Sequence, residues 1–407
     1  MAFCRVSDSL RQVSLHGFEL VITLGIITPC TLGYWRGVWN LLDLYLLPND
    51  PNISGIISIL IGLGLIFVFG LLQNSHKRWF PFGTVRWHVF SRLYSFLLAF
   101  AVLNHWRGLW ALLDFYTTTS LTSALSTLVI GIIFLLLLRG IKNIPPQPSV
   151  VYRDNEETVF DCSTRFNVNS SEGSAKVKML FILDLIVSYF VIHSLVLCFW
   201  RGLWATLDSE FLPQDWEIST YASLAIGYGT FLLCYLLQCP ARKTSRTLAN
   251  ISFPLHVLFE DVYILIVSFA VVNVWRGLWN VCDLYILSDN FIISNVITAA
   301  VGTVVLYLLL AGRCLGAVGC FVDGDPSDGS GINFMHFFDK LNEPEKENET
   351  PMEEYSRCPD NLNNEESKKD VIVNWDPRDM STKSSTAENV SREGYTRKQR
   401  CLCIWCP

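Results

Sequence analysis

The sequence predicts an all-α, polytopic membrane protein made of four repeated helical hairpins and followed by a disordered C-terminal tail. Three observations predict this class: a nine-residue motif that occurs four times, eight long apolar runs, and a polar stretch confined to the last quarter of the chain. Of the 407 residues, 51% are hydrophobic and 17% are charged. This composition is too apolar for an ordinary soluble protein.

The apolar runs each hold about the 20 residues that a helix needs to cross a bilayer. A helix also satisfies its backbone hydrogen bonds internally, as lipid requires. Buried core helices of a large soluble protein are the alternative, but they leave eight runs of this length unexplained. The predicted spans are 18–34, 53–72, 89–105, 121–139, 179–199, 219–238, 257–274 and 291–312.

The repeated motif reads Trp-Arg-Gly-(Leu or Val)-Trp, then three variable residues and Asp. Eight of the thirteen Trp residues belong to it, which makes four chance matches implausible. Self-similarity of this kind indicates a chain of equivalent structural units. The fixed positions are Trp35, Arg36, Gly37, Trp39 and Asp43; Trp106, Arg107, Gly108, Trp110 and Asp114; Trp200, Arg201, Gly202, Trp204 and Asp208; and Trp275, Arg276, Gly277, Trp279 and Asp283.

Each motif is followed by a span with small residues at four-residue spacing. Residues four apart share one helix face, and small side chains let membrane helices approach closely while hydroxyls hydrogen-bond across. The predicted unit is therefore an outgoing span, the motif, and a returning span with a helix-packing stripe. The stripe positions are Ser54, Ser58 and Gly62; Ser123, Thr127 and Gly131; Ser219, Ser223 and Gly227; and Ser294, Thr298 and Gly302.

The four hairpins all have one orientation, so the repeat is parallel rather than inverted. Asn104 and Asn273 precede the motif Trp by two residues in copies two and four only, which suggests two halves of two hairpins each. The predicted organisation is residues 1–139 for the first two hairpins, a cytoplasmic linker loop at 140–178, residues 179–313 for the second two hairpins, and an acidic tail at 314–407.

Basic residues predict the orientation in the membrane. The connections 73–88, 140–178 and 239–256 carry three to five Lys and Arg each, whereas each connection with a motif has only the motif Arg. The positive-inside rule then places both termini in the cytoplasm and the motifs outside. Four glycosylation sequons in the presumed cytoplasmic segments argue for the opposite orientation. Sequons arise by chance, whereas the basic asymmetry repeats at three loops.

The motif has three readings. On a helix its two Trp, its Arg and its Asp share one face, but Arg and Asp lie about 10 Å apart along the axis, too far to pair within one helix. Pairing between neighbouring repeats would close a ring, so a structural interlock near the membrane interface is the leading reading. The alternatives are a vestibule in which the Arg ring attracts anions and a surface for docking a partner.

Other candidate sites are weaker. Glu19, Arg92, Asp184, Glu260 and Asp261 lie near span ends, where we expect them to be solvated. No HExxH, P-loop, GxSxG or zinc-pair spacing occurs, so we predict neither an enzyme nor a cofactor or metal site. No nucleic-acid partner is expected either.

The tail, 314–407, holds eleven basic and eighteen acidic residues and lacks apolar periodicity, as disordered segments do. It ends in a basic cluster followed by three cysteines. This combination suits reversible palmitoylation next to anionic lipid, which would make the protein a lipoprotein. A three-cysteine metal site would lack a fourth ligand nearby. The candidate cysteines are Cys401, Cys403 and Cys406.

The eight spans, cytoplasmic termini and repeated Trp-Arg-Gly-x-Trp phrase, over roughly residues 15–315, resemble the Fuseless family of invertebrate membrane proteins. The resemblance implies an eight-pass presynaptic protein that helps localise voltage-gated calcium channels and supports synaptic vesicle release. It implies a calcium channel or presynaptic scaffold as partner, engaged through the tail, besides the lipid bilayer. The rival function is a small-solute or ion transporter or channel built from parallel hairpin repeats, although only Pro29 interrupts a span and deep ionisable residues are few.

Overall fold

A computed structural model describes residues 14–168, 174–316, 320–325, 331–332 and 334. These residues form eight long helices joined by turns, loops and short 3-10 segments. The predicted all-α class is confirmed for this part of the chain. In chain order the helices are α1 (Ser14–Tyr45), α2 (Pro51–Trp79), α3 (Val85–Thr117), α4 (Leu121–Leu137), α5 (Ala175–Glu210), α6 (Trp216–Ile251), α7 (Phe253–Tyr285) and α8 (Phe291–Leu308).

Seven of these helices are long and apolar enough to cross a membrane, and the exception is α4 with 17 residues. The prediction of eight full spans is therefore met by seven helices and one shorter apolar helix. At 1.5 Å per residue, α4 rises about 25 Å. That length is at the lower end of what a bilayer core requires.

The motifs are helical and complete α1, α3, α5 and α7, whereas we expected them in the connections between spans. One or two residues after the end of each of these helices lies a residue with positive φ, between +48° and +67°: Leu47, Thr118, Leu212 or Leu287. The next helix begins three or four residues after it, and a polar N-cap precedes that helix. Its side chain accepts a backbone N–H, which satisfies one of the open donors of the first turn. The caps are Asp50, Ser120, Asp215 and Asn290.

The predicted hairpin is not the packing unit. The most extensive helix contacts join each returning helix to the following motif helix, in the pairs α2–α3, α4–α5 and α6–α7, and α8 packs back on α1. Each pair therefore crosses a repeat boundary. The four motif helices contact one another in the cyclic order α1, α3, α5, α7 and form an inner layer, with α2, α4, α6 and α8 outside.

Glycine explains why the pairs form across this boundary. A Cβ on Gly37 would lie 2.3 Å from the carbonyl oxygen of Asn295 on α8, and one on Gly62 would lie 2.4 Å from the backbone nitrogen of His105 on α3. Backbones this close leave no room for a side chain. Five of the remaining motif and stripe glycines make the same kind of approach to the backbone of the paired helix: Gly108, Gly131, Gly202, Gly227 and Gly302. At Gly277 the nearest atoms belong to the side chain of Leu224.

The motif helices alternate in structure along the chain, so that α1 resembles α5 and α3 resembles α7. Both α1 and α5 contain a π-helical segment, at Thr23–Ile27 and Ile186–Ile192. In α3 and α7, Asn104 and Asn273 are buried, and each donates from its amide nitrogen to the carbonyl four residues before. The inner layer thus has four similar helices, and its structural details repeat at every second helix, as the positions of Asn104 and Asn273 predicted.

Two segments extend the packed structure beyond the predicted helical domains. Residues 140–178, expected to be a cytoplasmic linker loop, send Ile141, Ile144 and Gln147 into buried positions at the end of the bundle opposite the motifs. We call residues 141–152 the plug. The end of the bundle at which the plug enters is called the linker side, and the opposite end is called the motif side. Residues after 314 also pack, since Cys320 and Phe334 are buried. The folded part therefore continues past the predicted start of the tail.

Candidate functional site

The four motif arginines form ion pairs that run in one direction around the inner ring. Arg107 donates from Nε to Asp43 of the preceding repeat at 2.8 Å, and Arg36 closes the ring by donating to Asp283 of the last repeat at 2.7 Å. The other two pairs are Arg201–Asp114 at 2.8 Å and Arg276–Asp208 at 2.7 Å. The Arg and Asp of one motif are thus used in two different contacts, one with each neighbouring repeat.

The stripe hydroxyls accept hydrogen bonds from the two terminal nitrogens of each guanidinium. Arg107 donates to Ser58 at 2.6 Å and to Ser54 at 2.8 Å, in addition to the carbonyl of Leu42 at 3.4 Å. The stripe therefore does more than allow close packing, because its hydroxyls solvate a buried cation. The equivalent acceptors are Ser294 and Thr298 for Arg36, Ser123 and Thr127 for Arg201, and Ser219 and Ser223 for Arg276.

Burial makes this network costly to break. The arginine side chains are at most 4% exposed, whereas the partner Asp side chains are 35–52% exposed. Removing the Asp of a pair leaves the charge of the buried arginine uncompensated and costs about 3–5 kcal/mol. Guanidinium suits the position because its planar donors can serve a carboxylate and two hydroxyls at once.

The motif tryptophans form two tiers of four around the axis of the inner ring. In the first tier, Trp35, Trp106, Trp200 and Trp275 meet edge to face, with adjacent ring centroids 5.4–5.8 Å apart. In the second tier, Trp39, Trp110, Trp204 and Trp279 do the same at 5.7–6.3 Å. Edge-to-face contacts of this kind are favourable beyond the area they bury. Both tiers place residues from all four repeats in mutual contact.

A cavity of about 760 Å³ follows the axis of the bundle, with both tryptophan tiers in its wall. The second tier and the four Asp residues line its motif side, and the plug lines the other end. Asn280, which follows Trp279, is 2% exposed and also lines the cavity, and its amide nitrogen has no hydrogen-bond partner among the described residues. The size is typical of a small-molecule site.

The plug closes the linker side of this cavity with backbone carbonyls. Trp200 donates its indole N–H to Ile144 at 3.0 Å and Trp275 donates to Gln147 at 2.7 Å. Trp35 donates likewise to Leu315 at 2.7 Å. The first tier is therefore hydrogen-bonded to a floor made of two segments that sequence reasoning treated as linker and tail.

Buried carboxylates hold those two segments in place. Asp154 accepts from the backbone N–H groups of Gly312 at 3.0 Å and Arg313 at 2.7 Å. Burial raises its pKa, although those two N–H groups oppose the rise. Asp323 accepts in the same way from Ile141 and Lys142, both at 2.8 Å. Nothing in the spacing of these acids distinguished them from ordinary loop residues.

The expectation of solvated charges at span ends is wrong for four of the five residues. Glu19, Asp184 and Glu260 are 1% exposed and Asp261 is 3% exposed. Asp184 accepts from the Thr164 hydroxyl at 2.6 Å and from backbone N–H groups of the linker. For Asp184 the reason is that the linker folds over the helix end and supplies donors in place of water, whereas Glu260 accepts from the hydroxyl of Ser245 on α6 at 2.7 Å.

The anion vestibule is not supported by the geometry, because the motif arginines lie behind their carboxylates and have their donors bonded. The groups exposed at the motif side are the Asp carboxylates, of the opposite charge. Cys401, Cys403 and Cys406 lie outside the described residues.

The described part of the chain has helices as its regular structure, seven of them apolar and of spanning length, with four repeated motifs at one end. These features define a multi-pass helical membrane protein. The profile of the Fuseless family matches residues 14–315. The chain therefore belongs to the Fuseless family, as its motifs predicted. Searches of curated proteins and of solved structures find no match.

Proposed function

We propose that this chain is a non-enzymatic organiser of the presynaptic plasma membrane, which supports the localisation of voltage-gated calcium channels and the release of synaptic vesicles. Membership of the Fuseless family supports the proposal. In this proposal eight helices cross the membrane, both termini are cytoplasmic, and the tail engages the channel or a presynaptic scaffold. Palmitoylation of Cys401, Cys403 and Cys406 would return the end of the tail to the membrane.

The use of the motif residues carries the argument for an organiser. Each motif arginine donates hydrogen bonds within the bundle, to an Asp and to stripe hydroxyls of the neighbouring repeat. We assign these residues the role of a repeat interlock that holds four repeats as one rigid body. A rigid body with a closed linker side suits a platform that presents a cytoplasmic tail to partners.

The axial cavity favours a second function, a transporter or channel for a small solute or ion. Its volume of about 760 Å³ would admit a substrate. Against it stands the plug, whose carbonyls accept the indole N–H groups of Trp200 and Trp275 and end the cavity on the linker side. Transport would require these bonds to break and the plug to leave the bundle.

The test is rescue at a synapse that lacks the endogenous protein, with tagged calcium channels counted at release sites. Three chains are compared: the full chain, a truncation after residue 340, and a full chain with Cys401, Cys403 and Cys406 replaced by Ser. The cut at 340 keeps Cys320 and Phe334, which are packed against the bundle.

We expect the full chain to restore channel density and the truncation to reach the membrane without restoring it. Full rescue by the truncation would contradict a role for the tail. A conductance or uptake that appears when the full chain is expressed, and persists after truncation, would favour the transporter.

A further inference from the structure

We propose that the motif side of the axial cavity is a binding site for a choline-type trimethylammonium group. The site consists of the second tryptophan tier (Trp39, Trp110, Trp204 and Trp279), the four motif Asp residues and Asn280. This site is independent of the organiser role and of the tail. Three features of the described residues carry it: the aromatic tier, the charge around it, and one unsatisfied amide.

The second tier has the dimensions of an aromatic cage. Its ring centroids mark a four-sided figure with sides of 5.7–6.3 Å and neighbouring ring planes at 83–89°. A cation at the centre would lie about 4 Å from every centroid, within the ~6 Å reach of cation–π attraction. Tryptophan is the best of the aromatic side chains for this contact, and cages of such rings recognise quaternary ammonium groups.

Charge on the motif side favours a cation. The segments 40–53, 111–121, 205–219 and 280–292 hold nine acidic residues and no Lys, Arg or His. The four motif arginines offset four of these acids, but the arginines are buried and the carboxylates face the opening. A cation entering from this side therefore meets carboxylate oxygens before it reaches the aromatic tier, and such a field raises its local concentration.

Asn280 indicates what else the ligand carries. Its side chain is buried and lines the cavity, and its amide nitrogen lacks a partner among the described residues. A buried donor without an acceptor is costly, so an oxygen next to the cationic group would satisfy it. Choline and its esters combine both features, since a hydroxyl or ester oxygen lies two carbons from the ammonium nitrogen.

The floor of the cavity makes this a site for binding rather than passage. The first tier lies beneath the second, and three of its four indoles donate to the carbonyls of Ile144, Gln147 and Leu315. A trimethylammonium group held in the second tier thus remains accessible from the motif side alone. The same group occurs in free choline and in phosphatidylcholine, and the experiment separates these two sources.

The experiment measures binding to the full chain in nanodiscs of phosphatidylethanolamine and phosphatidylglycerol, which contain no choline. Choline, tetramethylammonium and the neutral isostere 3,3-dimethylbutan-1-ol are titrated by calorimetry and by tryptophan fluorescence. A second set of nanodiscs contains phosphatidylcholine. We expect choline to bind with Kd of about 1 mM or tighter and the isostere to bind at least about tenfold more weakly, because it lacks the charge.

Variants assign the binding to the site. We expect Trp39→Leu to weaken choline about five- to tenfold, because one wall of the cage is lost. Trp79→Leu is the matched control, since Trp79 is 59% exposed and lies outside the cavity. Asn280→Ala should weaken choline but leave tetramethylammonium unchanged, because only choline has the oxygen; this variant removes an unsatisfied group and is expected to fold.

The outcomes are decisive in both directions. Binding of choline that is abolished in phosphatidylcholine nanodiscs supports the site and identifies the lipid headgroup as its occupant, whereas binding retained there supports free choline. Two results would overturn the proposal. One is equal binding of choline and the neutral isostere. The other is that choline does not bind and that Trp39→Leu has no effect on the association of phosphatidylcholine.

Discussion

Gly62→Ala tests whether packing across the repeat boundary holds the bundle together. The added Cβ would lie 2.4 Å from the backbone nitrogen of His105 and 2.6 Å from the carbonyl oxygen of Ala101, both on α3. Backbone atoms cannot rotate aside, so α2 and α3 must separate. Gly64→Ala is the matched control, because Gly64 is on the same helix and has nothing within 4 Å of the equivalent position.

The magnitude follows from two opposing effects. Replacing Gly by Ala inside a helix gains about 1 kcal/mol in both variants. Overpacking a tight contact costs about 1–3 kcal/mol, and we take the upper end for Gly62 because the clash is with backbone. Gly62→Ala should therefore lose about 2 kcal/mol of unfolding free energy and Gly64→Ala should gain about 1 kcal/mol.

Thermal unfolding of the detergent-purified chain, followed by size-exclusion chromatography after heating, measures the difference. About 3 kcal/mol corresponds to roughly 5 °C in Tm for a folded part of about 300 residues, because the entropy of unfolding is about 2.1 cal/mol/K per residue. Tm values within about 2 °C of each other would refute the reasoning. That result would mean that α2 does not pack on α3 through Gly62.

The remaining predictions concern the ring and the plug. Asp43→Asn should destabilise by about 3–5 kcal/mol, because it leaves the guanidinium of Arg107 buried without its carboxylate. Arg107→Gln should cost less, because the carboxylate that it leaves unpaired is half exposed to solvent. A double-mutant cycle in thermal unfolding should give a coupling of about 0.5–3 kcal/mol, and additivity would contradict a direct pair. Trp200→Phe leaves the carbonyl of Ile144 without its donor and should cost about 1–3 kcal/mol, with faster hydrogen exchange in residues 141–152 but not in α2. Burial raises the pKa of the Cys314 thiol to about 12, so maleimide, which requires the thiolate, should not label it at neutral pH. Labelling should appear when Trp200→Phe loosens the plug, and rapid labelling of the unaltered chain would show that the thiol is exposed.

The features that repeat were predictable from the sequence. Four copies of one motif identified the repeated unit, and the seven-residue separation of Arg36 and Asp43 excluded a pair within one helix, so contacts between repeats followed. Which helix packs on which did not follow, because hydropathy and spacing are the same whether α2 packs on α1 or on α3. Only the glycine clearances, which require coordinates, distinguish the two arrangements.

The plug was missed for a different reason. Residues 141–152 carry three prolines and mixed polarity, a composition typical of a solvated linker. Their burial depends on partners far away in the chain, such as the indole of Trp200 and the carboxylate of Asp323, and no local pattern reports such contacts. Asp184 was placed in water for the same reason, because its donors come from the folded linker.

The closure of the ring between α8 and α1 sets an order for biosynthesis. Arg36 enters the membrane with the first helix, but its carboxylate on Asp283 follows 247 residues later. At about 5–20 residues per second the ribosome needs roughly 12–50 s to supply it. During that interval the first helix has neither its ion pair nor its glycine-lined neighbour, and a shielding chaperone in the membrane would have time to act. The last two helices to be made therefore complete the environment of the first, and a nascent chain halted before Asp283 on α7 would expose an unpaired guanidinium to quality control.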